Sequence, residues 1–158
     1  MKNGGVRMTK SEKIAIGSDH GGFELKDFIK NHLESEGYEV EDFGTYDKTS
    51  CDYPDFAYPV AKAVAEHKYD KGIVICGTGI GVSIVANKVK GVRCGLVHDC
   101  FSAKSTRQHN DTNVLAMGER VIGKGLAKEI VDIWLNTEFE GGRHKNRVDK
   151  IKNVEEEN

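Results

Sequence analysis

A chain of 158 residues, 38% of them hydrophobic, is long enough for one domain with its own core and leaves little room for a second. Its 23 lysines and arginines nearly balance 25 aspartates and glutamates, so no basic surplus points to nucleic acid. The apolar runs fall far short of the roughly 20 residues that cross a bilayer, and "MKNGGVRMTKSEK" has no hydrophobic segment of signal-peptide type, so no membrane role and a cytoplasmic location are expected. Cys51, Cys76, Cys94 and Cys100 follow no CxxC spacing and read as free thiols rather than as a disulfide framework.

Residues 1–12 are polar and carry a second methionine, Met8; they read as a flexible leader. "KIAIG" (13–17) is a buried strand. Leu25, Phe28, Ile29 and Leu33 recur at helical spacing, with Gly37 as a stop. "YEVEDF" (38–43) alternates like a strand, and Phe56, Val60 and Val64 form a second helical stripe. "GIVIC" (72–76) is a continuous apolar strand, followed by a helix from about Ile80 to Lys88. "VRCGLV" (92–97) and "NVLAMG" (113–118) give two more strands with a helix between them, and Leu126, Ile130, Ile133 and Trp134 mark a further helix. This alternation predicts an α/β fold, a Rossmann-like three-layer αβα sandwich around a five-stranded parallel sheet over residues 13–140. Residues 141–158 are expected to form a basic helical tail. In such sheets ligands bind beyond the carboxyl ends of the strands.

The loop after the first strand, Ser18-Asp19-His20-Gly21-Gly22, offers a carboxylate and an imidazole, although Asp19 could equally be a helix N-cap. After the second strand comes Asp52-Tyr53-Pro54, where Tyr53 is either a site wall or a packed turn residue. "ICGTGIGVS" after the third strand breaks the dinucleotide fingerprint, because Gly81 falls one residue before the third required glycine, and no Walker lysine follows. What remains is a run of N–H groups at a helix start, suited to phosphate or to an oxyanion formed during reaction. Cys76 beside that helix start is either an inert strand-end residue or a reactive thiolate acting as base or nucleophile.

"STRQHNDTN" (105–113) gathers Arg107, His109, Asn110, Asp111 and Asn113 before a buried strand, a solvated loop or the edge of a pocket; His109 suits acid–base work. His98-Asp99-Cys100 contains three metal-ligand types, but neighbours in an extended chain point apart, so no metal is expected there. In the tail, Arg143 and Arg147 share a helix face and would grip a phosphate with planar forks. Val148, Ile151 and Val154 recur on the same segment, as if to pack on a partner subunit.

"IAIGSDHGGFELK", "DYPDFA", "ICGTGIGVSIVANK", "RQHNDTNVLAMGERV" and "EGGRHKNRV", in this order and spacing, resemble type B ribose-5-phosphate isomerase from about Lys13 to Val148. The resemblance implies an aldose–ketose isomerase interconverting ribose 5-phosphate and ribulose 5-phosphate without cofactor or metal. It implies that Cys76 is the base and that Thr78 hydrogen-bonds near it. The backbone from Gly77 through Gly79 to Gly81 would hold the enediolate oxygen. His109 would open the furanose ring, Asp19 would assist proton movement, and Tyr53 and Asn110 would line the site. His20, Arg120, Arg143 and Arg147 would bind phosphate. A homodimer with a shared active site, or a doubled tetramer, is also implied. Allose or galactose 6-phosphate isomerase is the runner-up within this class. A nucleotide-binding or NAD-dependent module and a non-catalytic sugar-phosphate sensor stand further off.

Overall fold

The computed structural model describes residues 12–158, so the leader lies outside the described residues except for Glu12, whose carboxylate accepts from Lys71 Nζ at 2.9 Å. Five strands and six helices follow: β1 Lys13–Ser18, α1 Phe23–Ser35, β2 Glu39–Asp42, α2 Pro54–Ala65, β3 Lys71–Cys76, α3 Ile80–Asn87, β4 Cys94–Leu96, α4 Cys100–Asn110, β5 Val114–Gly118, α5 Lys124–Asn136 and α6 Arg143–Glu156. All strand pairs are parallel, in the order β2-β1-β3-β5-β4. The predicted α/β sandwich is the observed one.

Alternation along the strands sorts the core into two layers of different grain. Ile14, Ile16, Ile73, Ile75, Leu115 and Met117 face α1 and α5, and pack with Leu25, Ile29, Leu33, Ile130 and Trp134. The opposite face is lined by smaller groups, with Ala15, Val74, Cys76 and Ala116 against Val60, Val64, Val82 and Ala86 of α2 and α3. Trp134 is fully buried because its one polar atom is satisfied: Nε1–H donates to Thr112 Oγ1 at 3.0 Å.

Gly37 stops α1 as expected. At φ +92° its N–H bonds the Glu34 carbonyl and the next N–H, of Tyr38, bonds the Leu33 carbonyl, which closes the helix with the 6→1 and 5→2 pair that a left-handed residue permits. The predicted strands at 38–43 and 92–97 come out shorter. The second of these is an edge strand of three residues, and its flanks are held by side chains and single bonds: Arg93 N–H donates to Asn113 Oδ1 and Val97 N–H to the Ala116 carbonyl.

Two expectations need correction. Residues 105–110 are not a loop but the second half of α4. The tail is helical, but its apolar stripe is divided: His144 and Val148 are buried as α6 closes on α4 of the same chain, while Ile151 and Val154 stay 42% and 59% exposed.

Candidate active site

Strand order reverses between β1 and β3, since the chain leaves β1 for one sheet edge and returns to its other side as β3. A crevice at the carboxyl ends of two such strands is where open α/β sheets bind ligands. Asp19 follows β1 and Cys76 ends β3, with Ser18 paired to Ile75 in the ladder, so both side chains meet at that crevice. They are 8% and 5% exposed.

The loop after β3 wraps its own first turn around the cysteine. Gly79 N–H donates to Cys76 Sγ at 3.1 Å and Ile80 N–H to Thr78 Oγ1 at 3.2 Å. An N–H aimed at sulfur supports negative charge there. Gly79 makes the bend at φ +78°, and a Cβ on it would meet the Met117 backbone at 2.7 Å, so only glycine fits. The N–H groups of Gly81 and Val82, in the first turn of α3, have no intrahelical acceptor and face a ligand approaching that helix end.

Around this turn the other residues of the carboxyl edge assemble. Asp19 Oδ1 accepts from Gly21 and Gly22 N–H at 2.9 and 3.1 Å, which orders its own loop and leaves Oδ2 for the crevice. It is not the cap of α1, whose capping residue is Gly22. Gly21 and Gly77 touch closely enough that a Cβ on Gly21 would lie 3.3 Å from Gly77 N. Arg120 N–H donates to the Gly77 carbonyl at 3.0 Å, and its side chain lies along Gly77. The Tyr53 ring packs on Gly81. His20 Nδ1 accepts from Cys51 N–H at 3.1 Å, which puts the imidazole proton on Nε2 and makes that atom a donor. Asp19, His20, Tyr53, Cys76, Gly77, Thr78, Gly79, Gly81 and Arg120 thus form one constellation.

His109, Asn110, Arg143 and Arg147 do not join it. β5 begins at Val114 opposite Gly72 and ends at Gly118 opposite Cys76, four residue steps or roughly 13 Å later at about 3.3 Å per residue. His109 and Asn110 close α4 before that strand begins, so they sit at the amino end of the sheet. There α6 joins them: Glu140 N–H donates to the Gln108 carbonyl, and His109 stacks on His144 with centroids 4.4 Å apart and planes 17° from parallel. Arg143 and Arg147 project from the exposed side of α6. The residues singled out in the sequence therefore fall into two groups at opposite ends of the sheet.

The remaining polar residues of 105–113 are structural. Arg107, 9% exposed, donates to Asp111 Oδ1 and to the Thr112 and Thr137 carbonyls. Asp111 caps α4 at φ +47° and also receives Arg93, while Asn113 ties Arg93 to Gly91. His98, Asp99 and Cys100 do not converge: His98 Nε2 accepts from Gly118 N–H at 3.0 Å, and Asp99 caps α4 through Ser102. Burial holds His98 below the ordinary histidine range.

Two residues were missed in the sequence. Glu119 receives Leu25 N–H at 2.6 Å and so pins the start of α1 to the loop carrying Arg120. His144, hidden between the two arginines of "GGRHKNR", turns inward onto His109; helical geometry, which sets the faces of positions 143 and 144 about 100° apart, was the available signal.

The Ribose/Galactose Isomerase family model matches residues 14–151, and the chain belongs to that family. The chain is 53% identical over 145 residues to ribose-5-phosphate isomerase B of Escherichia coli (92% of this chain, 97% of that protein), and 48% identical over 140 residues to D-erythrulose-4-phosphate isomerase of Pectobacterium atrosepticum (87% and 91%). Its fold superposes on Clostridium thermocellum ribose-5-phosphate isomerase B with a TM-score of 0.91 at 55% identity (92% and 98% covered). The Mycoplasma genitalium enzyme with bound ribulose-5-phosphate matches at 0.89 and 45% (92% and 97%). Among the described residues no helix is long and apolar enough to cross a membrane.

Proposed function

We propose that the protein interconverts ribose 5-phosphate and ribulose 5-phosphate in the cytoplasm, with Cys76 as the base. The observation that carries this is the placement of a thiol at the switch-point crevice, under an N–H of the same turn that presents unpaired donors. Cys76 as thiolate removes the C2 proton of the open-chain aldose. The electron pair becomes an enediolate whose O1 charge meets the N–H groups between Gly77 and Gly81. Sulfur then returns the proton to C1 while a proton passes from O2 to O1 with the help of Asp19 Oδ2. Donors already in place are worth about 10² to 10³ in rate each, because none has to reorganise as charge develops.

The phosphate meets His20 and Arg120 from this end, and ring opening needs His109. Because the second half of the constellation lies about a strand length away, the working site joins the carboxyl edge of one chain to His109, Asn110, Arg143 and Arg147 of a second copy in a homodimer. The separation of the two halves in one chain supports this arrangement. His144, held neutral by burial, backs His109 as a flat platform.

Conversion of ribose 5-phosphate by the purified chain in EDTA tests the activity, with erythrulose 4-phosphate and allose and galactose 6-phosphates as competitors. A clearly higher kcat/KM on a tetrose or hexose phosphate would replace the pentose. Mixing Cys76→Ala with His109→Asn chains tests the shared site: random pairing restores about a quarter of wild-type sites if the site spans two chains, and none if it does not.

A further inference from the structure

Among the described residues, His109, Glu140 and His144 bring metal-ligating atoms within 4.8 Å of one another. His144 is 5% exposed and its Nε2 has no hydrogen-bond partner. A buried, unpaired nitrogen is costly unless something outside the chain satisfies it. It points toward Glu140 Oε2 at 3.5 Å, an ion-pair distance without hydrogen-bond geometry. That separation is close to the edge of a tetrahedron around an ion with bonds of about 2.1 Å. Two of the three ligand atoms are thus already spaced for chelation.

We propose that His109, Glu140 and His144 form a site for a borderline divalent cation, zinc above all, and that occupancy inhibits the enzyme by withdrawing His109 from ring opening. The inhibitory half rests on the role given to His109 above. Two imidazoles and a carboxylate suit zinc or copper(II) and not the hard cations that need oxygen cages. Arg143 and Arg147 flank the cluster and temper its attraction for a cation.

The geometry explains why binding would inhibit. Imidazole lone pairs lie in the ring plane, and rings stacked 17° from parallel cannot both aim at one ion. Chelation requires His109 to rotate out of the stack while His144, locked in the interior, stays. The stacked state and the metal-bound state of His109 exclude each other. The proposed cation competes for the side chain assigned to ring opening.

The test uses full-length protein, Zn²⁺ alone as probe, and chelator competition in phosphate-free buffer. Wild type is expected to bind one zinc per chain. Glu140→Gln and His144→Ala should weaken it by at least about 10- to 100-fold, the range already seen for groups that only support a ligand. Cys76→Ser should bind zinc like wild type. Glu140→Gln, exposed and outside the reaction machinery, should keep basal turnover and resist the zinc inhibition that EDTA reverses in wild type. Zinc binding unchanged in Glu140→Gln, or lost in Cys76→Ser, or absent from wild type, would overturn the site. Stoichiometric zinc on a chain with no turnover in EDTA would keep the site and overturn the isomerase reading, so the two failures are distinguishable.

Discussion

Gly81→Ala separates folding from function. A Cβ at this position would lie 2.6 Å from Tyr53 Cζ and 2.8 and 3.0 Å from its Cε2 and Cε1. Ordinary contact starts near 3.4 Å, so the ring must retreat by about an ångström. It is able to: Tyr53 is 39% exposed at the start of α2, and among the described residues no hydrogen bond holds its hydroxyl. Position 81 lies in the first turn of α3, where alanine is favoured over glycine by up to about 1 kcal/mol. The variant should therefore fold with an unchanged or slightly higher urea midpoint. If Tyr53 walls the site, displacing it by that much should lower kcat/KM on ribose 5-phosphate by up to about 10²-fold, the scale of a 1 Å misplacement. Urea unfolding and initial rates on the same preparation decide it. Unchanged kcat/KM would remove Tyr53 from the site, and a midpoint lowered well beyond error would show that the ring cannot yield.

Cys76→Ala should lower kcat by about 10² to 10⁴ while ribulose 5-phosphate still binds; near-normal exchange of the C1 proton with solvent would acquit the thiol. Arg147→Ala should raise KM by about 10-fold or more, the worth of a charge-assisted bond, with kcat little changed; an unaltered KM would make the tail arginines surface charge. Trp134→Phe should cost about 1–3 kcal/mol in urea unfolding, because Thr112 Oγ1 loses a buried donor and the smaller ring leaves a void; a smaller loss would mean that the site collapses. The buried His144 ring gives stability a pH dependence. Burial first, then His109 and Arg143, hold its pKa below the ordinary 6.5, with Glu140 opposing and Arg147 adding. The unfolded chain takes up a proton near 6.5 and the folded chain only at lower pH, so stability is lost as pH falls below 6.5 and is flat above it with respect to this group. The acid loss should shrink in His144→Gln; an identical profile would assign it to other groups.

The local chemistry of this protein was legible in the sequence. Short apolar runs, with alternation at 38–43, gave the strands and period-3.6 runs the helices. "SDHGG" and "CGTGIG" each follow an apolar strand directly, so their residues had to emerge at a carboxyl edge, and they do. Arg143 and Arg147 had to share a helix face once the tail was helical. These features depend on neighbours within about a dozen residues, where backbone geometry alone dictates direction. Strand order does not. That β3 lies against β1, so that Asp19 reaches Cys76, and that β5 slips between β3 and β4, so that Gly118 and Arg120 back the cysteine loop, follow from how five strands and six helices bury their faces together. The same packing sent His109 to the far end of the sheet and turned His144 onto it. In the sequence, His109 is nine residues from Gly118 and looks like its neighbour; five extended residues carry it away, because a parallel sheet makes every helix return its chain to the amino edge before the next strand begins.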